Sequence, residues 1–131
     1  MKTFIASLLA ASVAAGPAVL GSRVCVANMA GFDLHWWMQD LNDGYLSATS
    51  ENYPIDKTKC MDIAMYGLNE GDFIETWVHA DGGVTNSVDS AIIYSTAYPI
   101  TVSYTCHGAT LTYSCSLNGE AYLGELRAYG M

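Results

Sequence analysis

Apolar and polar side chains alternate with a period of two along much of this chain, most clearly over residues 98–117, YPITVSYTCHGATLTYSCSL. Ile100, Val102, Tyr104 and Cys106 form one apolar set, and Ala109, Leu111, Tyr113 and Cys115 form a second beyond His107 and Gly108. Threonine and serine fill the intervening positions. In a strand, successive side chains leave opposite faces of the sheet, so this pattern predicts a half-buried antiparallel hairpin. A two-residue turn at His107-Gly108 would set Cys106 opposite Ala109 and Cys115 opposite Ile100. The two hairpin cysteines would then not pair with each other. This register favours Cys25 with Cys115 and Cys60 with Cys106 over the swapped arrangement, while a longer loop would permit Cys106 with Cys115.

The remaining elements follow from the same rule. Residues 23–29, RVCVANM, have strand length and end at Ala30-Gly31. In FDLHWWMQ, Phe32, Leu34, Trp36 and Met38 share one face and Asp33, His35, Trp37 and Gln39 the other, so one tryptophan points each way. Asp40-Leu41-Asn42-Asp43-Gly44 is a turn by composition. A strand is expected over 45–49, then a polar run, then Tyr53-Pro54 at an edge or connection. CMDIAMY, 60–66, predicts a strand with a short helix as the alternative, and GLNEG breaks it. DFIETWVHA, 72–80, is another strand, closed by Asp81-Gly82-Gly83. TNSVDSA, 85–91, reads as a loop and Ile92-Ile93-Tyr94 as a buried strand. Asn118-Gly119 is a turn pair, after which 121–131 form a last strand, a short helix or a frayed tail. About seven to eight short strands at this spacing predict an all-β fold, a small antiparallel β-sandwich or flattened barrel with two disulfides.

The chain opens on MKTFIASLLAASVAAGPAVLGS, a short positive segment followed by an apolar stretch and small residues. Residues 1–22 read as a secretory signal peptide cleaved after Gly21 or Ser22, leaving 23–131 as one secreted, extracellular domain. The apolar stretch is too short to span a bilayer. Export makes the four cysteines, Cys25, Cys60, Cys106 and Cys115, disulfide partners rather than metal ligands, and they contain no Cys-x-x-Cys pair. The formal net charge is −8, with five basic residues against thirteen acidic. Nucleic acid and anionic lipid are therefore poor partners, since both are held by clustered Lys and Arg.

Candidate chemistry is sparse. His35, His79 and His107 stand in no paired metal-binding spacing, and no Gly-x-Ser-x-Gly nucleophile elbow is present. Asp40 and Asp43 resemble the start of a calcium loop, but the glycine comes at the fifth position and no glutamate closes it, so calcium enters only as a weak expectation and no cofactor is assigned. The aromatics are more informative, because Trp36 and Trp37 cannot both point inward. The expected function is thus non-catalytic binding of a carbohydrate or cell-surface ligand through exposed aromatics. Trp37 and Tyr45 are the contacts, with Asp40 and Asp43 at the rim. A self-associating structural protein and a small secreted hydrolase are the alternatives. The segment VCVANMAGFDLHWW resembles the start of small secreted β-sandwiches of the aegerolysin, actinoporin or thaumatin-like kind; the cysteine number or the acidic surface departs from each, so no site residue is carried over.

Overall fold

The computed structural model describes residues 18–97 and 99–118. Most of the expected leader, Tyr98, the end of the Asn118-Gly119 turn and the expected terminal element at 121–131 lie outside the described residues. Nine strands follow in order: β1 (Val19–Gly21), β2 (Arg23–Asn28), β3 (Leu34–Asp40), β4 (Lys57–Asp62), β5 (Phe73–Ala80), β6 (Thr85–Ser87), β7 (Ile92–Tyr94), β8 (Thr101–His107) and β9 (Ser114–Leu117). Sheet A has the order β1-β7-β5-β3 with β6 also on β5, and sheet B has the order β4-β2-β8-β9. The two sheets form the expected all-β sandwich. Trp36, Met38, Ile74, Val78 and Ile92 of sheet A and Val24, Val26, Met61, Val102 and Tyr104 of sheet B are buried in its core.

The sheets are mixed rather than purely antiparallel, since β1 pairs with β7 and β2 with β8 in parallel. The cause is a double crossover. Two of the passages from sheet A to sheet B, at Ser22 and after β7, run in the same direction. The two passages lie side by side, with Ser22 donating to Ile100 O and Ser95 donating to Gly21 O. A Cβ on Gly21 would stand 2.5 Å from Val102 Cγ2, so only glycine lets the first passage approach this closely. β1 lies within the segment read as leader, and cleavage after Gly21 or Ser22 would detach it.

The disulfides correct the expected connectivity. They join Cys25 to Cys60 and Cys106 to Cys115, so neither of the favoured pairings, Cys25 with Cys115 or Cys60 with Cys106, is formed. Each bond links residues directly opposite in sheet B, across β2 and β4 and across β8 and β9. The error lay in the turn. Instead of two residues at His107-Gly108, the loop runs over 108–113, because Tyr113 leaves the hairpin to cross the sandwich. Its hydroxyl donates at 2.7 Å to Val78 O and lies 2.8 Å from Val84 O, and its ring packs edge-on against Phe32. Leu111, expected to be inward, is 68% exposed at the loop tip. Cys106 and Cys115 do face the core, as the alternation required.

Two further expectations are modified. The segment 60–66 divides into the end of β4 and one 3-10 turn over Ile63–Tyr66, which leaves Met65 77% exposed. The expected strand at 45–49 is reduced to a single bridge between Gln39 and Leu46. Ser47 and Ser50 accept the Met38 and Trp36 N–H groups on their hydroxyl oxygens, replacing ladder carbonyls. The segment therefore covers the β3 edge without becoming a regular strand.

Candidate functional site

The outer face of sheet A is built by β3, β5 and β6. Leu34, Trp36, Met38 and Asp40 turn their backbone groups toward segment 44–53. The odd-numbered residues of β3 therefore carry the ladder bonds to β5. In antiparallel register this places His35 opposite His79, Trp37 opposite Trp77 and Gln39 opposite Glu75. On the far side of β5, Thr85 faces His79 and Ser87 faces Trp77. Residues directly opposite share a face. The result is three cross-strand rows, two imidazoles, two indoles, and an amide beside a carboxylic acid.

The rows are tied together by side-chain bonds. Trp77 Nε1–H donates to Gln39 Oε1 at 3.0 Å, so this indole offers a ligand its ring rather than its N–H. His35 Nδ1 lies 2.7 Å from Asn52 Oδ1, and His79 Nδ1 lies 2.7 Å from Thr85 Oγ1. Ring centroids are 5.2 Å apart for His35 and His79 and 5.9 Å for His35 and Trp37. Both tryptophans and both histidines are half-buried. The polar partners of the two histidines are an amide and a hydroxyl rather than carboxylates.

Glu75 differs from its row partner. It is 1% exposed, and neither carboxylate oxygen has a hydrogen-bond partner among the described residues. Burial pushes its carboxyl up to about 7, with the Ser87 side chain opposing the shift. Desolvation outweighs the weak help of the Ser87 side chain, which is too far or too poorly aligned for a hydrogen bond of good geometry, so the neutral acid is favoured far more than in an exposed glutamate.

The other expected site residues lie elsewhere. Asp40 is the last residue of β3, on the inward parity of Trp36 and Met38, and is buried at one end of the sandwich. There it meets Asp43 and Asp72, with one ligand-type oxygen from each within 4.8 Å of the others. These three are the residues that could hold a hard cation, but amide donors already satisfy much of the group. Asn42 N and Asn69 N donate to Asp40, and Asn69 Nδ2 donates to Asp43. Asp72 is pushed up to about 6, chiefly by its hydrogen bond with Asp40 and then by burial. The turn acids thus brace the 40–44 turn against the 67–72 loop. Tyr45 is 50% exposed and lies against Gly67 at this same end. Of the four expected ligand residues, only Trp37 belongs to the outer face.

Sequence reasoning missed Trp77, Gln39 and the pairing of His35 with His79. A signal was present: DFIETWVHA alternates so that Phe73, Glu75, Trp77 and His79 share one face, and it matches the outward set of DLHWWMQ in character. Tyrosine, by contrast, misled. Tyr53, Tyr104 and Tyr113 are core residues whose hydroxyls donate to Val26 O, Ser90 O and Val78 O, which accounts for part of the aromatic excess without a ligand. His107 stands exposed at the end of β8, on the other sheet. No family model, curated protein or solved structure matches the chain.

Proposed function

We propose that this protein is an exported, non-catalytic binding domain that takes a carbohydrate on the outer face of sheet A. The observation that carries the reading is the in-register pair of half-buried tryptophans, Trp37 and Trp77, on a sheet face rather than in the core. An indole ring presents a flat apolar surface, and the apolar C–H face of a sugar ring stacks on it while hydroxyls at the ring edge seek polar partners. Gln39, His35, His79, Asn52, Thr85 and Ser87 surround the indoles with such partners. The sheet holds the platform rigid, so little conformational entropy is lost on binding. Two disulfides suit the oxidising compartment that export implies, and among the described residues no helix is long and apolar enough to cross a membrane.

Glycan-array screening followed by calorimetry on the strongest hit tests the reading. Trp37→Ala and Trp77→Ala should each weaken binding about tenfold or more, the equivalent of one lost stacking contact. Asp43→Ala, at the end of the sandwich, should bind as the parent does. Failure to retain any glycan, or unchanged affinity in Trp37→Ala with its melting temperature preserved, overturns the proposal.

A further inference from the structure

We propose that His35 and His79 form a two-imidazole site for a divalent transition-metal cation, with Cu2+ held most tightly and Zn2+ less so. The two residues are directly opposite on adjacent strands, at a position where both backbones are locked by the ladder. Their ring centroids are 5.2 Å apart and the rings are tilted by 44°, a spacing that allows one ion to be shared between them. Both residues are partly exposed, which gives an ion access from solvent.

The orienting bonds point the same way. Asn52 Oδ1 is an acceptor only, so at 2.7 Å from His35 Nδ1 it receives the Nδ1 proton. That leaves the lone pair of the neutral ring on Nε2, the nitrogen farther from the backbone. Thr85 Oγ1 occupies the corresponding place at 2.7 Å from His79 Nδ1 and can accept in the same manner. A ring nitrogen bonded to an oxygen while its counterpart stays free is the arrangement by which proteins fix the tautomer and orientation of a metal-ligating histidine. The supporting oxygens come from two separate segments, 52 in the edge cover and 85 in β6, so each ring is held independently of the other.

Donor type sets the cation. Imidazole nitrogen suits copper, nickel and zinc rather than calcium or magnesium, and among first-row divalent ions copper binds a given nitrogen site most strongly. Water completes the coordination sphere. A bound ion would clamp β3 to β5 and would stand one row from Trp37, whose ring centroid is 5.9 Å from that of His35. The site does not depend on the carbohydrate reading and can be examined without any glycan.

The experiment is titration of the metal-stripped protein with Cu2+, read by electron paramagnetic resonance and by tryptophan fluorescence. The expected result is one ion per chain, hyperfine coupling to two imidazole nitrogens, and quenching of fluorescence. His35→Gln and His79→Gln should each lower the affinity at least about tenfold, whereas Asn52→Ala, which removes only an orienting bond, should lower it less. His107→Gln should bind as the parent does. Zn2+ should raise the melting temperature of the parent and leave that of the double variant His35→Gln/His79→Gln unchanged. Absence of coupling to two imidazoles in the parent protein overturns the proposal whatever the variants do. So does a folded double variant that binds Cu2+ like the parent.

Discussion

Glu75 sits between two buried neighbours of β5, Ile74 and Thr76, and is itself shielded from solvent. In the unfolded chain its carboxyl titrates near the ordinary glutamate value of about 4.3, whereas in the fold it is raised to about 7. The folded state therefore binds the proton more tightly than the unfolded one between these values. Where the native state holds more protons, stability falls as pH rises. This contribution is fully present below about pH 4 and is lost as pH passes through 7, a difference on the order of 3 kcal/mol. Urea denaturation at pH 5 and pH 8 should accordingly find the protein more stable at pH 5. Glu75→Gln, which keeps the shape and removes the charge, should gain about 1–3 kcal/mol at pH 8 and flatten the dependence. An unaltered slope in that variant would assign it to other groups. Asp72, raised to about 6 beside Asp40, acts with the same sign, and Asp72→Asn separates its share.

At the scale of elements, β1 has consequences for processing. Three residues long, it buries Val19, sets its backbone against β7 and carries the chain through the close passage at Gly21. On the proposed export, processing that respects this packing would leave the new terminus ahead of Val19, upstream of the boundary that small residues alone suggest. If the protein is exported as proposed, N-terminal sequencing of the mature chain should find its first residue before Val19. A chain made to begin at Arg23 should be less stable by about 2–4 kcal/mol, the range for losing a buried aliphatic side chain and its neighbours' contacts. A native terminus at Ser22 or Arg23 with full stability would show β1 to be dispensable. The same element shows where sequence patterns stop being sufficient. β3 was legible to the residue, because Leu34, Trp36 and Met38 enter the core while His35, Trp37 and Gln39 stay outside, and nothing interrupts the alternation. The parallel pairing of β1 was not, since three residues hold too little pattern and their partner lies some seventy positions away. The hairpin after β8 failed for a different reason. Thr110, Leu111 and Thr112 keep a strand-like alternation, but the hydroxyl of Tyr113 reaches the Val78 carbonyl of β5 and the Val84 carbonyl of the turn after it, and that long-range contact overrides local periodicity. For the site, the composition of each strand showed an outward tryptophan, yet only register could place Trp77 and His79 beside Trp37 and His35.

At the scale of the whole molecule, the question is how a sandwich with open sheets, nine strands among the described residues, avoids adding further ones. An exposed edge offers unpaired N–H and C=O groups to another copy, so proteins cover or charge it. The outer edge of β3 is occupied by segment 44–53, through backbone bonds such as Ser47 N to Met38 O and through the hydroxyls of Ser47 and Ser50. β9 is closed by the connection between β6 and β7, where Asp89 donates its N–H to Cys115 O and accepts the Leu117 N–H on Oδ1. β4 is guarded by charge, with Lys57, Lys59 and Asp62 along its six residues and Lys59 held to Glu51 at 2.6 Å. At β3, β9 and β4 these devices oppose edge-to-edge growth, the route a self-assembling structural protein would use. The protein should therefore run as a monomer in size-exclusion chromatography with light scattering over a wide concentration range. Replacing Lys57 and Lys59 with threonine should promote association by removing the charge from the β4 edge. A parent dimer that dissociates on Trp37→Ala would instead mean that the outer face of sheet A pairs with a second copy, and the ligand of the two indoles would then be this protein itself.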